Sequence, residues 1–108
     1  EQFRQHASTL GSVIDLLICD EGHRLKSMTS LTTATVAALP CKRRILLTGT
    51  PLQNNLDEFW CCISLVQPDA LPSLPTFQRI FKKPIERGQD VSATQEEAQL
   101  AQARALEL

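Results

Sequence analysis

Two adjacent carboxylates, Asp20 and Glu21, close an apolar run of Leu16, Leu17, Ile18 and Cys19, and Gly22 and His23 follow them. Such a run reads as a strand buried on both faces, so the acids stand where its carboxyl end meets an edge that must hold something charged. In open parallel α/β sheets, ligands bind at that edge. A second group, Thr48-Gly49-Thr50-Pro51, closes a second apolar run. Its two hydroxyls can hydrogen-bond to phosphate oxygens or hold a carboxylate in place, and Gly49 allows close backbone approach. Magnesium takes few hard oxygens from a protein and keeps its waters, so one well-placed Asp suffices for it, while a neighbouring Glu can polarise an attacking water. His23, two residues past Glu21, can hydrogen-bond to it or to the second strand's hydroxyls and so link ligand state to movement elsewhere.

The remaining sequence supplies the elements that position these groups. Phe3, Ala7 and Leu10 predict a helix over residues 1–10, stopped by Gly11-Ser12. Residues 13–19 form the first strand, with Asp15 near its start, and Gly22 permits a sharp exit from it. Residues 30–39 predict a helix with Ser30 as cap and Leu31, Thr35, Ala38 and Leu39 on one side, although Thr32, Thr33, Thr35 and Val36 weaken its propensity. Pro40 ends it, residues 41–44 make a basic turn, and residues 44–48 form the second strand. Strand, helix and strand make one right-handed crossover, so the strands lie parallel and end at the same edge.

Asn55 then caps a helix over residues 56–66, where Asp57 and Glu58 match the positive helix start and Leu56, Phe59, Trp60, Ile63 and Val66 cover the sheet. Pro68 ends it. Residues 69–75 read as irregular, and residues 73–83 as a short helix with Phe77, Ile80 and Phe81 inward. Pro84-Ile85 breaks that helix, and residues 86–91 form a polar turn around Gly88. Residues 92–108 are a tail helix with Thr94 and Glu97 as a capping box, and with Ala98, Leu100, Ala103 and Leu106 to bury.

Composition narrows the function classes. Eleven basic and twelve acidic residues nearly cancel, which argues against a basic module that reads nucleic acid through bulk charge. The basic groups Lys42-Arg43-Arg44, Arg79, Lys82 and Lys83 read as solvated surface, and Trp60 and the phenylalanines as core. Cys19, Cys41, Cys61 and Cys62 show no CxxC spacing, so reduced thiols are expected in place of disulfides or a zinc site. No run approaches the roughly 18 apolar residues of a membrane span, and no membrane partner is expected. At 108 residues, 43% of them apolar, the chain has the means to build a small core, and both its ends read as cuts through a longer protein.

Asp20-Glu21-Gly22-His23-Arg24-Leu25-Lys26, taken with Leu47-Thr48-Gly49-Thr50-Pro51-Leu52-Gln53-Asn54, resembles motifs II and III of the Swi/Snf-type superfamily 2 ATPases. The resemblance implies an α/β fold: a partial RecA-like (P-loop NTPase) lobe with parallel strands and flanking helices, plus a C-terminal helical extension. Residues 1–67 would be the C-terminal part of the first RecA-like lobe, and residues 68–108 the extension leading out of it. Asp20 would be the Mg²⁺-associated carboxylate and contact ATP through the ion, and Glu21 would be the hydrolytic base. His23, Thr48, Gly49 and Thr50 would couple hydrolysis to DNA movement; Gln53 and Asn54 belong to the signature without a single role. Ser27 stands where many relatives carry Asn.

Gly22, where many helicases carry Ala or Cys, together with Lys82-Lys83-Pro84-Ile85 and Gly88-Gln89-Asp90, looks most like the recombination-repair translocases of that family. The implied cofactor is Mg²⁺, with ATP as substrate; the implied partners are double-stranded DNA and a recombinase filament or nucleosomes, in the nucleus. Nucleosome remodelling is the alternative within the family, and a non-hydrolysing module that binds DNA or protein is the alternative outside it. The 108 residues hold no GxxxxGK[ST] phosphate loop, no second lobe and so no arginine finger, and are not expected to hydrolyse ATP alone.

Overall fold

A computed structural model of the chain describes His6, Thr9, residues 13–49 and residues 55–108. Apart from those two positions, the expected first helix, its Gly11-Ser12 stop, Thr50 and Pro51-Leu52-Gln53-Asn54 lie outside the described residues. The chain divides into two compact units, residues 1–71 and residues 72–108.

In the first unit, β1 (Leu17–Cys19) and β2 (Arg44–Leu46) pair in parallel, with Leu17 opposite Arg44, Ile18 opposite Ile45 and Cys19 opposite Leu46. The connection between them carries a 3₁₀ turn (Gly22–Leu25) and α1 (Leu31–Ala37), and α2 (Leu56–Val66) follows β2. The strands are shorter than the apolar runs, and they are not buried on both faces: Ile18 is 56% and Ile45 44% exposed. The cause is one-sided packing. Cys19 and Leu46, on the other face, pack with Val36, Ala37 and Trp60 against buried Leu25, Cys61 and Leu65.

The caps form as the residue types require. Ser30 Oγ accepts the Thr33 amide at 3.2 Å and donates to Thr33 Oγ1 at 2.7 Å, which allows a threonine hydroxyl to be fully buried. Asn55 Oδ1 accepts the amides of Asp57 at 3.0 Å and Glu58 at 3.4 Å. Leu39 is buried as expected, but the buried faces otherwise differ from those expected. Leu31 is exposed on α1, where Thr33 is buried instead, and the buried stripe of α2 is Cys61, Cys62 and Leu65, flanked by half-buried Phe59, Trp60, Ile63 and Val66. Cysteine and threonine are small enough to sit where two elements come closest, and their weight in a hydrophobicity pattern understates that.

Arg44 departs furthest from its expectation. Its guanidinium is not solvated: Nε donates to Cys41 O at 2.9 Å, Nη1 to Leu65 O at 2.9 Å, and Nη2 to Ala37 O at 3.1 Å and Leu39 O at 2.6 Å. These carbonyls include those at the carboxyl ends of α1 and α2, which lack intrahelical partners and carry partial negative charge. One side chain thus ties both helices to the start of β2.

In the second unit, α3 (Leu74–Phe77) continues through a π-helical stretch (Gln78–Lys82) into α4 (Lys83–Gln89), and α5 (Gln95–Glu107) packs against α4. Pro84 therefore does not break the helix. It falls in the first turn of α4, directly after the wider π turn, where its ring and missing N–H are accommodated. Gly88 is helical and not in a turn; a Cβ there would lie 2.2 Å from Ala101 Cβ and 2.7 Å from Glu97 O, so glycine is what lets α4 and α5 meet this closely. Ala101 is accordingly the buried residue of α5, whereas Ala98, Leu100, Ala103 and Leu106 are exposed. The capping box is present, with the Thr94 amide donating to Glu97 Oε2 at 2.8 Å and the Glu97 amide to Thr94 Oγ1 at 3.2 Å. No helix among the described residues is long and apolar enough to cross a membrane.

Candidate functional site

The two strands deliver the expected groups to one edge. Leu47 donates its amide to Cys19 O at 2.8 Å, and its own carbonyl accepts the Gly22 amide at 2.7 Å. Asp20 and Glu21 are therefore held as a two-residue arch, anchored at both feet to the residue after β2. Asp20 Oδ1 accepts the Glu21 amide at 2.8 Å. Glu21 takes φ 55° and ψ 47°, and among the described residues it is the only non-glycine with positive φ. The sharp exit assigned to Gly22 is thus made by Glu21, at a conformational cost that its surroundings must offset. Gly22 is needed for space: a Cβ there would stand 2.5 Å from Leu46 Cγ.

The 3₁₀ turn begins with Arg24 N donating to Glu21 O at 2.9 Å. His23 Nδ1, a buried atom with no hydrogen-bond partner among the described residues, lies 3.1 Å from Glu21 Oε2, and the contact is an ion pair when the imidazole is protonated. Thr48 is half-buried and Gly49 exposed just past β2, while Thr50 lies outside the described residues. An open cleft of about 510 Å³ at this edge is lined by Cys19, Asp20, Glu21, Arg24, Leu25 and Thr32. Its volume is in the range of small-molecule sites, and it places two carboxylates beside a guanidinium.

No cluster of three or more metal-ligating side chains occurs among the described residues. That donor set does not suit a cation held by protein alone, but a single exposed carboxylate fits Mg²⁺, which is commonly bound through one or two carboxylates, waters and substrate phosphates. The four cysteines are free. Burial pushes the Cys61 thiol up to about 11, with the neighbouring Cys62 and Glu58 adding to the effect, and burial likewise raises Cys62 and Cys19, the latter opposed by Arg44. These three thiols stay protonated near neutrality and are poor nucleophiles. Sequence reasoning gave no role to Arg24 and Thr32, which line the cleft, to the Lys26–Glu58 ion pair, or to the contact of Cys61 with cleft-lining Leu25. Arg24 and Lys26 carried a signal in their place directly after the acids, whereas Arg44, the last of three basic residues before an apolar run, carried none.

Residues 2–106 match the family described as the SNF2-related domain. The chain is 52% identical over 94 residues to the DNA repair and recombination protein RAD54B of Gallus gallus, which covers 87% of this chain and 10% of that protein. It is 48% identical over 111 residues to the DNA repair and recombination protein RAD54 of Oryza sativa subsp. japonica, covering 100% and 11%. It is also 44% identical over 110 residues to Protein CHROMATIN REMODELING 25 of Arabidopsis thaliana, covering 100% and 12%. The chain spans about a tenth of the length of these relatives.

Proposed function

The chain belongs to the SNF2-related domain family, and on that premise we propose that it carries the metal carboxylate and the hydrolytic base of an ATP-driven double-stranded DNA translocase acting in recombination repair. The observation that carries the reading is Glu21, turned out beside Asp20 by its left-handed backbone at the edge where two parallel strands end. Residues 1–67 form the C-terminal part of the first RecA-like lobe and residues 68–108 a helical extension. Asp20 holds Mg²⁺, and Glu21 takes the proton of the water that attacks the γ-phosphate. The ion, when bound, neutralises charge on the phosphates of ATP. His23 pairs with Glu21, and with Thr48, Gly49 and Thr50 it couples hydrolysis to movement on DNA. Arg24, on the cleft wall, suits the polyanionic substrate. Hydrolysis also needs a phosphate loop and an arginine finger from sequence beyond these 108 residues. A nuclear site of action and a recombinase filament as partner follow from the same reading.

The test is DNA-stimulated ATP hydrolysis by the full-length protein that carries this segment. Glu21→Gln is expected to lower kcat about a hundredfold or more while ATP still binds. Equal turnover would remove Glu21 as the base and this mechanism with it. A parent that binds DNA without hydrolysing ATP would mark a non-hydrolysing interaction module. The name of the Arabidopsis relative favours nucleosome remodelling as a second reading. Stimulation of recombinase-driven strand pairing, compared with repositioning of nucleosomes, separates the two.

A further inference from the structure

Glu58 contacts Lys26, which directly follows the segment carrying the acids, and the helix cap Asn55. Its Oε1 lies 3.4 Å from Lys26 Nζ, and Asn55 Nδ2 donates to the same oxygen at 3.4 Å. Lys26 directly follows the 3₁₀ turn that starts at Glu21, and Asn55 caps α2 directly after residues 48–54. Glu58 is 27% exposed against 59% for Lys26, so the carboxylate is the better-held partner. A second contact runs beside the first. Cys61 Sγ donates to Leu25 O at 3.2 Å, and both residues are buried in the cluster that includes Leu65. Glu58, Cys61 and Leu65 share one face of α2 through their i, i+3 and i+7 spacing. The turn that ends the acidic arch is therefore fastened at two consecutive residues, Leu25 and Lys26, to the first two turns of the helix that follows Thr48 and Gly49.

We infer that Glu58 is a positioning residue for Glu21, transmitting displacement of the α2 amino end to the acidic arch through Lys26; this rests on the hydrolytic role proposed for Glu21. The physical reason is the left-handed backbone of Glu21. A non-glycine residue stays in that region only while its surroundings over-determine it. Leu47 fixes the arch from the sheet side. The Glu58 and Cys61 contacts fix the turn on the other side, and of the two only the Glu58 pair is charged, near the surface and able to break and reform without opening the core.

The experiment measures DNA-stimulated ATP hydrolysis and thermal unfolding of the full-length protein, with Glu58→Gln, Lys26→Met, the double variant and Lys26→Arg. Each of the first two is expected to lower kcat about threefold with the KM for ATP unchanged, and the double variant to fall no further than the lower single. Lys26→Arg keeps the charge and is expected to retain parental kcat. A lowered unfolding temperature with unchanged kcat, or losses that multiply in the double variant, overturns the inference in favour of an independent surface ion pair. A hydrolysing parent whose variants match it overturns this inference alone. A parent that hydrolyses no ATP overturns the function proposed above and this inference with it.

Discussion

Leu47 bonds to the chain on both sides of Asp20 and Glu21, so the position of the acids depends on how closely the arch can approach β2, and Gly22 decides that. An alanine Cβ at this position would stand 2.5 Å from Leu46 Cγ and 2.9 Å from Leu46 Cδ2, closer than side chains pack. Gly22→Ala is expected to destabilise the first unit by about 1–3 kcal/mol through overpacking. Leu46→Ala removes the atoms it would strike, so in chemical denaturation the double variant should fall short of additivity by about 1 kcal/mol. Full additivity would show that the arch has room to move. At this scale the sequence disclosed the residue types and hid their conformations. Asp20, Glu21, His23, Thr48 and Gly49 are legible because each lies in a short local pattern. Left-handed Glu21 is not, because the strain belongs to a loop pinned by Leu47. Arg44 is not, because its Leu65 partner is 21 residues away in sequence.

Among the elements, caps were legible and buried faces only in part: Leu39 and Phe77 are buried as expected, while Leu31 and Leu100 are exposed. Ser30, Asn55 and Thr94 all cap as their types require, since a cap is settled within three residues. Burial depends on the partner element, so Gly88 passed for a turn residue and Ala101 was absent from the expected buried set until α4 met α5. The capping box of α5 sets a pH response. Glu97 is held below its ordinary value by the Thr94 amide first and then by the hydrogen bond from Arg87, and Asp90 by its bonds to Ser92. Both folded-state values are lowered, so their contribution is fully present above the ordinary carboxylate range and is lost as pH falls through the lowered values. The helical signal of α5 should therefore weaken on acidification below about pH 4.5. Glu97→Gln keeps an oxygen for the Thr94 amide but removes the charge, and should flatten that dependence. Thr94→Ala should cost about 1 kcal/mol at all pH values. An unchanged acid profile in Glu97→Gln, followed by hydrogen exchange of the α5 amides, would exclude this control.

At the largest scale, the decisive feature is a sheet of two strands that the described residues cover on one face. Leu25, Cys61 and Leu65 gather Cys19 and Leu46 from one side, and Ile18 and Ile45 stand opposite each other on the uncovered side. Leu16 and Leu47, two residues away along each chain, are also about half exposed. These four aliphatic side chains, in adjoining positions, leave apolar surface exposed among the described residues. The apolar runs were legible as strands because strands buried on both faces read that way, and the sequence could not disclose that the described residues cover only one of those faces. A chain of these 108 residues is therefore expected to bind a hydrophobic fluorescent dye under native conditions. Ile18→Thr with Ile45→Thr should lower that signal severalfold, since threonine keeps the β-branched shape while adding a hydroxyl. The substitutions point away from Cys19 and Leu46, so the denaturation midpoint should move little. Dye binding that the double variant leaves unchanged would place the exposed apolar surface elsewhere, and a large drop in midpoint would show that this face is packed in solution.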